Sequence, residues 1–118
     1  MIDFHELFKN EQGHMFAKGQ VVFKEGDPGE HLCIVKSGSI ELIINGKHFY
    51  TFAEGEMFGE MALINHEPRI ATTIAATDSV VIMIDQRRFQ FLVQQTPYFA
   101  IQVMKVMADR LRSMSKLV

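Results

Sequence analysis

The chain has 118 residues and a mass of 13.5 kDa, enough for one hydrophobic core burying roughly two thirds of the unfolded surface and too little for two. Hydrophobic residues at 47% and charged residues at 22% exclude a disordered chain, and a net charge of -2 supplies no long-range attraction to nucleic acid, which argues against direct DNA binding. Cys33 is the only cysteine, so an internal disulfide is excluded; with no apolar run near the ~18 residues of a membrane span and no signal-peptide order at the N-terminus, the chain reads as cytoplasmic and free of membrane attachment.

In chain order, Ile2, Phe4, Leu7 and Phe8 fall at helix-compatible spacing, which predicts a short amphipathic helix inside an N-terminal segment of residues 1–19. Between residues 20 and 85 the pattern changes to short runs rich in Val, Ile and Phe. These runs are Val21–Phe23, Leu32–Val35, Ile40–Ile44, Phe49–Phe52, Thr72–Ala75 and Val80–Ile84, each bounded by Gly, Asn or Asp turn signals. Asn45-Gly46 between two of them is a hairpin signal, because both residues tolerate the positive φ angles of a type I′ turn. The expected class is mainly β with flanking helices, built on a compact antiparallel barrel.

Residues 86–118 read as two C-terminal helices. Asp85 is placed to cap one over Gln86–Gln95, and Thr96-Pro97 to open another over Pro97–Lys116. Along the second, Ala100, Met104, Met107, Leu111, Met114 and Val118 follow steps of four and three, the spacing of a coiled-coil seam. Phe99, Val103 and Val106 form a second stripe. Either both stripes cover the barrel or one meets a partner such as a second copy of the chain. Lys105, Arg110, Arg112 and Lys116 suit the C-terminal end of a helix on a solvated face. The whole chain, 1–118, is expected to be a single domain.

The densest chemistry lies in residues 58–72. Phe58-Gly59-Glu60-Met61-Ala62-Leu63 is followed by Pro68-Arg69-Ile70-Ala71-Thr72, which brings one acid, one guanidinium and a glycine turn into a short span. A carboxylate accepts a sugar hydroxyl, an arginine fork donates to a phosphate, and amides at the start of a short helix favour the same anion. The set suits a small phosphorylated ribose. Taken alone, Glu60 and Arg69 also read as an exposed ion pair of about 0–1 kcal/mol.

On these residues the chain resembles the cyclic nucleotide-binding domain family, whose phosphate-binding cassette carries the same Gly, Glu and Arg at the same spacing. Glu25-Gly26-Asp27-Pro28-Gly29, Leu32-Cys33-Ile34-Val35, Ser37-Gly38, Gly55 and the terminal Met107-Ala108-Asp109-Arg110-Leu111-Arg112 extend the resemblance over nearly the whole chain. It implies a jelly-roll form for the barrel. It also implies that Arg69 binds the cyclic phosphate, that Glu60 binds the ribose 2′-hydroxyl, and that the amides of Ala62 and Ile70 assist. Gly59 then makes room at the turn, with Ala71 small enough for close approach and Leu42 and Met61 lining the base. Relatives selective for cyclic GMP often carry a hydroxyl directly after the arginine; Ile70 has none, so cyclic AMP is the expected ligand over cyclic GMP. The resemblance further implies a base cap from the last helix, with Arg110 and Arg112 as candidates, and a dimer seam along that helix.

Enzymatic readings find little support. His5, His14, His31, His48 and His66 are scattered without metal-ligand spacing, and a serine nucleophile elbow is absent. No cofactor or metal is expected. The reading is of a stand-alone sensor that signals through a separate effector protein by moving its C-terminal helices. Its competitor is a docking or dimerising module of the same fold that has lost its ligand.

Overall fold

The structure is a computed structural model that describes residue 4 and residues 6–65 and 67–114. β-Branched and aromatic runs separated by turn residues give β1 (His14–Phe16), β2 (Val21–Phe23), β3 (His31–Ser37), β4 (Ile40–Ile44), β5 (Lys47–Phe52), β6 (Met57–Phe58), β7 (Thr72–Ala75) and β8 (Ser79–Asp85). They pair antiparallel into two four-stranded sheets, ordered β1-β8-β3-β6 and β2-β7-β4-β5. Successive strands alternate between the sheets except across the β4–β5 hairpin, which is jelly-roll connectivity. The expected antiparallel jelly-roll is present as these two sheets.

The predicted runs at β2, β4 and β7 coincide with the observed strands, and those at β3, β5 and β8 are extended by one to three residues. Asn45 and Gly46 have φ of 52° and 77°, the two left-handed residues that a type I′ turn requires. The N-terminal expectation differs. Residues 6–10 run as turns rather than helix, and Ile2 lies outside the described residues. A stretch this short leaves helix nucleation uncompensated, whereas burial of Phe4 and Phe8 fixes it as turns.

The inner faces of both sheets contribute to one core of Cys33, Val35, Ile40, Phe52, Phe58, Ala75 and Val81, with Phe16, Val22, Phe23, Leu42 and Met83 packed on it. Phe58 is its aromatic centre, stacked on Phe52 at 5.2 Å and tilted against Phe23 at 5.9 Å between ring centroids. Because Phe58 is the last residue of β6, this packing fixes the point from which the cassette departs.

The cassette helix α1 (Glu60–Asn65) joins β6 to β7, so the segment crosses from one sheet to the other. Beyond the strands come α2 (Gln86–Gln95) and α3 (Tyr98–Met114), which from Arg87 onward belong to a second compact unit, the first being Asp3–Gln86. Thr96 N donates to Leu92 O at 2.8 Å, and Phe99 N donates to Thr96 O at 2.8 Å as α3 begins. Phe89 meets Phe99 edge-on at 5.7 Å. Of the two predicted stripes on α3, Phe99 and Val103 are buried while Met104 and Leu111 are exposed; Val118 lies outside the described residues. Among the described residues no helix is long and apolar enough to cross a membrane.

Two substitutions separate core packing from turn geometry. Phe58→Ala removes a buried ring and should cost about 3–5 kcal/mol. Gly46→Ala meets open space and should cost only about 1–2 kcal/mol, the strain of a Cβ in the left-handed region. Urea unfolding midpoints in that order check the assignment.

Candidate functional site

The site is built around Arg69. Arg69 is only 7% exposed, and its guanidinium is gripped by backbone carbonyls: Nη1 donates to Gly59 O at 2.8 Å and Nη2 to His31 O at 2.7 Å. The Phe23 ring lies against it, with Cζ 3.9 Å from the ring centroid, a desolvated cation–π contact. Nε has no hydrogen-bond partner although it is buried.

The backbone on either side of Arg69 is clamped to the turn after β2. Arg69 N donates to Asp27 O at 2.9 Å and Gly26 N to Arg69 O at 2.8 Å, while Glu25 N donates to Thr72 Oγ1 at 3.0 Å. The Asp27 carboxylate holds the turn itself by accepting from Lys24 N at 3.0 Å. The conspicuous Glu25-Gly26-Asp27 sequence is therefore the surface on which the arginine segment rests.

Gly59 explains why the chain before α1 needs glycine. Its φ is 75°, and a Cβ there would lie 2.6 Å from Arg69 Nη1 and 3.2 Å from Phe23 Cε2. Its carbonyl can meet the guanidinium only because nothing projects from its Cα. Glu60 opens α1 and is 7% exposed.

Burial lowers the Arg69 pKa from its usual value, while negative charge at Cys33, Glu60 and Asp27 raises it. Cys33 contributes little at neutral pH, because burial, the largest influence on it, pushes its thiol up to about 12, with Arg69 lowering it and Glu60 raising it. The anions facing Arg69 are thus Glu60 and Asp27.

Gly59, Glu60, Arg69 and the buried Ala71 gather in this one region. Met61 at 46% and Ile70 at 71% exposure lie at the surface. Ala62 falls within α1. Leu42 is partly buried on the inner face of the second sheet, paired in register with Thr73 of β7. Sequence reasoning did not single out Phe23, the His31 carbonyl or Thr73 as site residues. Phe23 was visible only as a member of an apolar run, and a carbonyl leaves no signature in residue type.

The chain as a whole can be placed among known proteins. Residues 14–96 match the sequence profile described as the cyclic nucleotide-binding domain, and the chain belongs to that family. A cAMP-dependent protein kinase regulatory subunit from Candida albicans is 31% identical over 112 residues, covering 86% of this chain and 24% of that protein. The Thermus thermophilus catabolite activator protein superposes with a TM-score of 0.79 at 27% identity, covering 86% of this chain and 50% of that one. A structure described under a cyclic-GMP-dependent signalling pathway that regulates bacterial phytopathogenesis superposes with a TM-score of 0.78 at 29% identity, covering 92% of each chain. This chain spans only 15–24% of the length of the first three curated relatives it matches.

The thiol beside the site gives a pH prediction. Cys33 rises from 9.0 to about 12 on folding, so the folded chain keeps a proton that the unfolded chain releases. The stability contributed by the neutral thiol is complete below pH 9 and is lost as pH rises toward 12. Disulfide-exchange labelling at pH 8 should be slow in the folded protein and fast after unfolding; rapid labelling of the folded chain would contradict the burial.

Proposed function

We propose that this chain is a regulatory module that binds cyclic AMP, with Arg69 taking the phosphodiester and Glu60 the ribose 2′-hydroxyl. The observation that carries the reading is the Arg69 guanidinium itself. It is buried, stacked on Phe23 and held by two neutral carbonyls, yet one donor is left without a partner. A buried cation is costly unless an anion completes it, and Nε–H with the remaining Nη–H groups offers the planar donor edge that suits a phosphate. Burial lowers the Arg69 pKa, and negative charge at Glu60 and Asp27 works against that lowering; a guanidinium stays charged at neutral pH.

The remaining roles are those that the family resemblance implies. Gly59 gives the arginine room, and the amides of Ala62 and Ile70 complete the phosphate cradle beside the small Ala71. Leu42 and Met61 line the base. Ile70 offers no hydroxyl to a guanine amino group, which favours cyclic AMP, and the regulatory-subunit relative is named for the same nucleotide. The module binds and relays rather than catalyses. Occupancy shifts the population of positions open to the C-terminal helices, and α3, with Met104 and Leu111 exposed, offers a face to an effector protein or to a second copy of the chain.

Isothermal titration with cyclic AMP and cyclic GMP tests the reading on the native chain, Arg69→Ala and Glu60→Gln. Charge-assisted bonds of about 1.5–3 kcal/mol predict cyclic AMP binding that weakens at least ~10-fold in each variant and favours cyclic AMP over cyclic GMP in the native chain. No heat from either nucleotide with a folded native protein would instead assign the fold a docking role.

A further inference from the structure

Among the described residues two buried side-chain polar atoms lack a hydrogen-bond partner, Arg69 Nε and Thr73 Oγ1. The first is accounted for by a phosphate. The second is 0% exposed and has no role in the account so far. An orphaned buried hydroxyl is destabilising, and such groups in native structures call for a ligand, a water or a functional reason.

The position of Thr73 narrows the choice. Strand register places Phe23, Thr73, Leu42 and Tyr50 side by side across β2, β7, β4 and β5. Residues directly opposite one another share a face of the sheet. Thr73 therefore sits between Phe23, whose ring carries the Arg69 guanidinium, and Leu42, the residue read above as lining the base. Phe23 and Leu42 are two strand spacings apart, about 10 Å, which is comparable with the span from phosphate to base in a cyclic nucleotide. Phe23 is held against Arg69, whereas Leu42 is only partly buried, so a rotamer change at Leu42 is the movement the proposal requires to expose the hydroxyl.

We propose that Thr73 Oγ1 hydrogen-bonds the six-membered ring of the bound purine, the edge at which adenine and guanine differ in donors and acceptors. This rests on the reading of Arg69 and Glu60 as the phosphate and ribose groups. A threonine hydroxyl can both donate and accept, so it can serve either purine. Its contribution differs between them, and in this chain it takes over the polar reading of the base that Ile70 is unable to provide.

The test is titration of the native chain, Thr73→Val, Thr73→Ser and Arg69→Ala with cyclic AMP and cyclic GMP, with thermal unfolding of each empty protein. Thr73→Val keeps the shape and deletes the hydroxyl. It should unfold at or above the native temperature, bind cyclic AMP about 5- to 50-fold more weakly, and change the ratio of cyclic AMP to cyclic GMP affinity. Thr73→Ser should stay within about threefold of native binding, since it keeps the hydroxyl. Native-like affinity in a folded Thr73→Val overturns the proposal while leaving the Arg69 assignment intact, provided Arg69→Ala loses binding. An equal loss for both purines overturns the base assignment. A native chain that binds neither nucleotide overturns both readings together.

Discussion

A buried guanidinium is the constraint around which this domain is organised. Arg69 gives up its hydration to lie on the Phe23 ring between two carbonyls, one from the end of β6 and one from the start of β3. Several otherwise unrelated sequence features exist to permit this. Gly59 removes the Cβ that would collide with the cation, Phe23 supplies an aromatic face in place of an aliphatic one, and the Gly26–Asp27 turn fixes the arginine backbone from behind. The aromatic stack of Phe52, Phe58 and Phe23 then connects that cation to the hydrophobic core. Packing and ligand chemistry are therefore not separable here. The same ring that fills the core also positions the charge.

Two neutral carbonyls orient the guanidinium without cancelling its charge, and negative charge at Glu60 and Asp27 adds a favourable potential at the cation. Such an arrangement keeps the cation ionised while leaving a donor edge unused. A direct bidentate carboxylate would have been more stable in the empty state and would have competed with an incoming anion. On the function proposed above, the orphaned Nε is the donor held for the phosphate.

Much of the fold could be read from residue order because each strand carries its own punctuation. The Asn45-Gly46 turn, the bounds of β4 and β7, and α2 over Gln86–Gln95 follow from local pattern alone. β6 escaped because it is two residues long, and β1 because His14-Met15-Phe16 lacks the β-branched run that marks the equally short β2; both pair with longer strands, β1 with β8 and β6 with β3. The N-terminal apolar spacing suggested a helix, yet two buried phenylalanines are equally well served by turns. Gly59 and Arg69 stood out in the sequence as a turn residue and a guanidinium close together, and the structure joins them through the Gly59 carbonyl. Thr73 did not stand out, because threonine is an ordinary strand former. Only the register beside Leu42 and the absence of a partner for its hydroxyl distinguish it.

The cassette also has a mechanical character. It leaves the first sheet at Phe58 and enters the second at Thr72, with Arg69 fastened to both β3 and the turn after β2 on the way. It is a strap of fixed length tied across the seam between two sheets. The β4–β5 turn, whose tip at Gly46 meets open space, can absorb an added residue within one sheet. A residue added to the strap would instead slip the arginine out of its cradle or shift one sheet over the other, so tolerance to changes in chain length should be sharply uneven along this small domain.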